Sequence, residues 1–154
     1  MIKTPAIVLH LATYNEQSSV LHLYTRSHGR VQYMVYGLGG RKSSAKKAMF
    51  QPLSVLEIDA VHKDTRQLQQ LKDYTLTYTP RAINEDMNRR CVALFISEIL
   101  YRTLTHPLTD ERMFEFLLLT IEHLDTCPDP ENAHLRFLVE YAEMLGFGID
   151  FESP

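Results

Sequence analysis

The sequence predicts an α+β chain, with a five-stranded OB-type β-barrel over residues 1–81 followed by an all-α helical domain over residues 82–154. Three observations predict it. Apolar residues recur with period two up to about residue 80 and at spacings of three and four beyond it, which are the periods of strands and of helices. Turn chemistry separates the early segments: Tyr14-Asn-Glu-Gln-Ser-Ser19, Ser27-His-Gly-Arg30, the glycine-rich stretch at 37–40, and His62-Lys-Asp-Thr-Arg66. Formal charge reverses at the same place. Through residue 84 there are eleven Lys and Arg against five acids, a net +6; from Glu85 onward five Arg face fourteen acids, a net −9.

The first strand alternates Ile7, Leu9 and Leu11 against His10 and Ala12, and the second Val20, His22 and Tyr24 against Leu21 and Leu23. Val31, Tyr33 and Val35 alternate with Gln32, Met34 and Tyr36 in the third; Leu56, Ile58 and Ala60 mark the fourth, and Tyr74, Leu76 and Tyr78 the fifth. His28-Gly29 predicts a tight hairpin, because glycine accepts the positive φ of such turns. Five short strands in an open sheet leave two unpaired edges, and closure into a small barrel removes them. An SH3-like barrel is the alternative, since strand count alone does not separate the two.

Pro80 favours an extended residue before it and so a boundary. Over Glu85 to Leu104, the residues Val92, Phe95, Ile96, Ile99, Leu100 and Leu104 share one helical face, and His106-Pro107 stops the helix. A second helix opens with Thr109 as N-cap and Asp110 and Glu111 in its first turn, and buries Met113, Phe114, Leu117, Leu118, Ile121 and Leu124. Asp129-Pro130-Glu131 opens a third, with proline at the first helical position; Leu135, Leu138, Tyr141, Ala142 and Leu145 form its buried face and Gly146 its C-terminal cap. Phe147, Ile149 and Phe151 follow with nothing after them to cover them, so the chain reads as one whose next segment is missing.

Composition narrows the function classes. An apolar content of 45% over 154 residues suffices for one sizeable core or two small ones. No apolar run approaches the roughly 20 residues that cross a bilayer. The N-terminus lacks a cleavage site, so a cytoplasmic location without signal peptide or membrane is expected. Cys91 and Cys127 stand alone and read as two buried reduced thiols, with no zinc. The seven histidines are scattered, without HExxH, and no serine sits in GxSxG, so no catalytic residue is assigned and the chain reads as a non-enzyme. Glu57 and Asp59 could hold a metal as nuclease carboxylates do, but strand-end carboxylates facing solvent are commoner.

The stretch YGLGGRKSSAKKAMF, residues 36–50, carries the sharpest signal. Between Glu16 and Glu57 there is no acid, while Arg26, Arg30, Arg41, Lys42, Lys46 and Lys47 all fall there. A nucleotide P-loop is excluded because Arg41 separates Gly40 from Lys42, and the Rossmann fingerprint lacks its third glycine. What remains suits a polyanionic backbone, which needs cations without fixed geometry. Tyr33 and Tyr36 adjoin the loop and are read either as base-stacking platforms or as core; Tyr74 and Tyr78 read as barrel core. The alternative function is a protein-interaction adaptor acting through the acidic helices.

Lys3-Thr-Pro-Ala-Ile-Val-Leu-His10, Leu23-Tyr-Thr-Arg-Ser-His-Gly-Arg30, the basic glycine loop and Phe50-Gln-Pro-Leu-Ser-Val-Leu-Glu57 resemble the N-terminal domain of the RecO family of recombination mediators. The stretch through Glu140-Tyr-Ala-Glu-Met-Leu-Gly-Phe-Gly-Ile-Asp150 is similar to the start of that family's helical domain. The resemblance implies binding of single- and double-stranded DNA through the barrel and annealing of complementary strands. It also implies loading of RecA, together with RecR, onto DNA coated by single-strand-binding protein, in the bacterial nucleoid and without ATP or another cofactor. Many members carry a four-cysteine zinc element after the segment that resembles Leu145–Asp150, and this sequence ends before it. Docking of the acidic tail of single-strand-binding protein calls for cations on the helical domain, where only Arg89, Arg90, Arg102, Arg112 and Arg136 stand.

Overall fold

A computed structural model describes residues 1–38, 44–78, 80–106 and 109–146 of the chain. Five strands, β1 (Ile2–Thr13), β2 (Ser18–Thr25), β3 (Gly29–Tyr36), β4 (Val55–Val61) and β5 (Leu68–Tyr78), close in the order β1-β2-β3-β5-β4. Closure rests on one parallel pair, β3 with β5, in the register Gln32–Leu68, Tyr33–Gln69 and Met34–Gln70; every other pair is antiparallel. The helix α1 (Ser44–Met49) lies between β3 and β4. This is the OB arrangement, so the SH3-like alternative falls. Gly29 at the hairpin has φ +64°, as its turn requires.

The barrel interior is filled by Ala6, Val8, Leu21, Leu23, Val31, Tyr33, Val35, Leu56, Ile58 and Ala60, closed by Leu38 and Phe50. Parity corrects the reading of β1. Ala6 and Val8 point inward, and Ile7 and Leu9 point outward into a second core shared with the helices. A register shift between Val8 and His10 then returns Leu11 to the inner set. A bulge adds one residue to one strand, so side chains beyond it change faces. On β2 likewise, Leu21 and Leu23 fill the barrel while Tyr24 joins the outer core.

Four helices cover that outer face: α2 (Arg81–Glu85), α3 (Met87–Thr103), α4 (Glu111–Thr126) and α5 (Ala133–Met144). The second core joins Ile7, Leu9, Tyr24, Leu53 and Val55 of the barrel to Ile96, Leu100, Phe114, Leu117, Ile121, Phe137 and Tyr141 of the helices. On α3 the buried residues are Ala93, Ile96, Ser97 and Leu100, and Phe95 is exposed. Of the expected face, Ile96, Leu100 and Leu104 are buried and Val92 and Ile99 pack partly against the same core, so Phe95 alone departs from it. On α5 the buried residues are Phe137 and Tyr141, while Leu135 and Leu145 are exposed.

Caps differ from expectation by short steps. Asp86 caps α3, accepting from Asn88 N–H at 3.1 Å, and Asp110 rather than Thr109 caps α4, accepting from Met113 N–H at 3.1 Å. The third long helix begins at Ala133 after a turn, three residues beyond Pro130. Gly146 at its end has φ +89° and donates to Glu143 O at 3.0 Å, as a glycine cap does. Cys127 is buried at the end of α4, and Cys91 is exposed, contrary to the expected buried pair.

Leu53 is the one described non-glycine residue with positive φ, at +67°. Its N–H donates to Val8 O at 2.8 Å and Val8 N–H donates to Ser54 O at 2.9 Å, which hooks the Gln51-Pro52-Leu53 turn onto β1 beside the bulge. Its side chain is 1% exposed, within the core shared with the helices. No described helix is long and apolar enough to cross a membrane. Arg41, Lys42, Pro107, Phe147, Ile149 and Phe151 lie outside the described residues.

Candidate nucleic-acid interface

Two of the expected phosphate contacts lie in the seam between barrel and helices. Arg26, just past β2, pairs with Glu111 at 3.2 Å and with Glu115, and its guanidinium stands 4.8 Å from the centroid of the Phe114 ring. Arg30, on β3, donates to the carbonyl oxygens of Tyr101 at 2.9 Å and Leu104 at 3.0 Å. Helix α3 ends without a glycine, with Leu104 at its C-cap. Arg30 therefore satisfies carbonyls that the helix leaves open, where a cation also meets the negative end of the dipole.

Around Arg30 the seam is aromatic. Its guanidinium lies 5.0 Å from the Tyr101 ring centroid, on which His10 stacks at 4.3 Å and His22 meets edge-on at 4.8 Å. Arg30 Nη2 donates to His22 Nδ1 at 3.0 Å, which requires that nitrogen to be unprotonated. Burial, then Arg30, then His10 push the His22 imidazole down to about 4. Burial holds Arg30 itself below its usual range, though a guanidinium stays charged. Arg26 and Arg30 thus join the two halves of the molecule, Arg26 through its pairs with Glu111 and Glu115 and Arg30 through its Nη1 and Nη2 donors.

The two tyrosines separate by parity. Tyr33 is 0% exposed inside the barrel, with its hydroxyl unpartnered among the described residues and pushed up to about 12 by burial. It is core, and a base cannot stack on it. Its place beside Val31 and Val35 in the alternation is the signal that identifies it. Tyr36 has the opposite parity and is 62% exposed. Tyr74 packs on Phe50 at the barrel core with ring centroids 4.9 Å apart, whereas Tyr78, expected in the barrel too, packs against the outer core and donates to Asp125 at 2.8 Å.

Beside Tyr36 stands α1. Lys46 Nζ donates to Tyr36 O at 3.4 Å, Lys46 and Lys47 are exposed, and neither makes an ion pair among the described residues. Gly37, at φ +81°, donates to Gln17 O at 3.1 Å, which ties the start of the basic loop to the β1–β2 turn. Gln32 and Tyr36 on β3 and Gln70 and Lys72 on β5 are exposed and continue this surface. Of these residues the sequence singles out Tyr36 alone, because Gln32, Gln70 and Lys72 are single polar side chains on strands and carry no motif.

Elsewhere, Asp125 accepts from the Ile83 amide at 3.0 Å as well as from Tyr78, and Arg89 donates to Leu124 O at 2.7 Å. Glu57 and Asp59 face Thr75 and Asp73 across β4–β5. Among the described residues no three His, Cys, Asp or Glu side chains are grouped to hold a metal.

Residues 1–80 match the family profile described as recombination protein O N terminal, and residues 84–153 that described as recombination protein O C terminal. The DNA repair protein RecO of Phocaeicola vulgatus is 35% identical over 94% of this chain and 60% of its own length. Those of Flavobacterium psychrophilum, 35% identical, and Porphyromonas gingivalis, 34% identical, are each covered over 99% of this chain and over 64% and 63% of their own lengths. The chain thus spans about three fifths of the length of these curated relatives.

Proposed function

The chain belongs to the recombination protein O family, and from that premise we propose that it is a DNA-binding mediator of repair and recombination rather than an enzyme. In this reading residues 1–81 form the DNA-binding unit and residues 82–154 the helical unit. DNA lies on the uncovered wall of the barrel. Lys46 and Lys47, with Arg41 and Lys42 from the same loop, neutralise backbone phosphates, and Tyr36 offers its ring to an unpaired base. Such stacking is worth about 1–3 kcal/mol per base and tolerates any sequence.

The observation that carries this reading is the exposed Tyr36, whose carbonyl accepts from Lys46, with Lys47 exposed next to it on α1 and neither lysine in an ion pair among the described residues. Backbone binding of this kind is compatible with either single or double strands, with annealing, and with recombinase loading alongside RecR and single-strand-binding protein. Arg26, Arg30 and Tyr33 keep structural roles.

A salt titration of single-stranded DNA affinity tests it. Four cations meeting phosphates make log affinity fall against log salt with a slope of roughly −3, from about −0.7 per phosphate. Lys46→Glu with Lys47→Glu is expected to remove half of that slope or more, and an unchanged slope would take this wall out of the interface. A second reading, an adaptor for a protein partner, has in its favour the exposed Leu94 and Phe95 of α3 and Leu135 and Val139 of α5. It predicts a protein complex with no DNA affinity.

A further inference from the structure

The turns His28-Gly29 and His62-Lys-Asp-Thr-Arg66 meet at the end of the barrel opposite the basic loop, where they border a cleft of about 560 Å³. The imidazole rings of His28 and His62 lie 4.1 Å apart, centroid to centroid, at 41°. His62 Nε2 stands 3.1 Å from Asp64 Oδ1, while its Nδ1 is buried with no hydrogen-bond partner among the described residues. His28 Nδ1 lies 2.6 Å from Ser27 Oγ. Arg66 lines the same cleft, is exposed, and makes no ion pair among the described residues.

The loop that carries these groups is preshaped. Buried Gln69 accepts from Lys63 N–H at 2.9 Å and donates to the carbonyls of Lys63 and Arg66, each at 2.7 Å. A side-chain amide that closes a turn with three hydrogen bonds fixes the backbone before any ligand arrives.

We propose that this cleft is a proton-linked phosphate subsite, in which His28, His62 and Arg66 together hold one phosphate group of a nucleic-acid backbone. It rests on the DNA-binding reading and adds a second contact point at the far end of the same wall. The ring of His62 in contact with His28 opposes a charge on His28. Burial first, then His62, hold His28 below its usual range, with Asp64 opposing. A phosphate supplies the negative charge that lets both rings carry protons, and each ring N–H then donates to an oxygen.

The charged groups around the pair set the balance. From the β2–β3 hairpin Arg30 faces the cleft but is engaged with α3; from the β4–β5 loop come Arg66, with Lys63 beside it, and the opposing carboxylate of Asp64; Thr105 beyond α3 is neutral. Asp64, exposed and among the described residues paired only with His62, stands in for the anion and must yield to it. Asp64→Asn is therefore expected to tighten phosphate binding.

The test titrates a single-stranded oligonucleotide without terminal phosphates against the full chain at about pH 7.5 and about pH 6.0. Affinity is expected to rise several-fold on acidification, toward the limit of about tenfold per pH unit for one proton taken up, and this rise is expected to vanish in His28→Gln with His62→Gln. An equal rise in that double variant overturns the subsite. In parallel, the ring C–H resonances of the unmodified protein are followed by NMR during titration with inorganic phosphate. Movement of the His28 and His62 signals supports the cleft even where no oligonucleotide binds, and it is then the DNA reading that fails. Rings unmoved by phosphate in a protein that binds no oligonucleotide overturn the subsite as well.

Discussion

The outer surfaces of β1–β2 and of β3–β5 arise from the same alternation of side chains, yet one lies under helices and the other meets water. Under the helices, Ile7, Leu9 and Tyr24 are buried by α3 and α4, and the arginines that border them are joined to Glu111, Glu115 and the end of α3. On the open side, Gln32, Tyr36, Gln70 and Lys72 are exposed, and the lysines of α1 make no ion pair among the described residues. A cation's role in this molecule therefore follows from which wall of the barrel carries it. Basic residues close in sequence divide between cohesion and ligand contact, and charge totals do not separate the two groups.

The comparison breaks first on burial. Leu9→Ala removes a side chain 1% exposed in the shared core and is expected to cost about 3 kcal/mol. Met34→Ala on the open wall is expected to cost under about 1 kcal/mol. Equal midpoints in denaturant for the two variants would erase the distinction between the walls. Arg30→Ala comes next, at about 2 kcal/mol, because it leaves the Tyr101 and Leu104 carbonyls and His22 Nδ1 without their donor. The same variant is expected to bind DNA as the unmodified chain does, and a large loss of DNA affinity at preserved stability would return Arg30 to the ligand side.

Acid sharpens the contrast. The folded protein holds His22 at about 4 against an ordinary 6.5, so on acidification the unfolded chain takes up the proton first. Stability present above pH 6.5 is then lost as pH falls toward 4, by at most about 1.4 kcal/mol per pH unit. His22→Gln is expected to flatten that part of the stability profile, which melting curves across the range would measure. The smallest effect belongs to Arg26→Ala. Its acids are more than half exposed, and such pairs contribute under about 1 kcal/mol; a larger cost would show the aromatic contact with Phe114 to dominate.

Much of the barrel is legible in the sequence because period two survives in β3, β4 and the second half of β5, and the turns carry glycine and small polar residues where the chain must reverse. What misleads is the Ala6-Ile-Val-Leu9 run. Both of its faces are buried, so alternation cannot say which residues point inward, and the bulge at Val8–His10 then changes the phase. On α3 the small Ala93 and Ser97, which carry no apolar signal, are buried alongside the expected Ile96 and Leu100, and on α5 Phe137 is buried with the expected Tyr141 while Leu135 and Leu145 are exposed. At the candidate site the exposed Tyr36 is separable from Tyr33 by parity alone. The fates of Arg26 and Arg30 are not readable locally, since their partners lie more than seventy residues along the chain.

Position 53 is caught between two demands. Its left-handed backbone suits glycine or asparagine, and its pocket, where β1, the Gln-Pro turn and the helices meet, accepts only a hydrocarbon. Glycine would relax the hook and leave a void, asparagine would bring an amide into oil, and a β-branched substitute would clash with its own main chain. Leucine meets the packing demand at a cost to its own backbone, and few other side chains meet both.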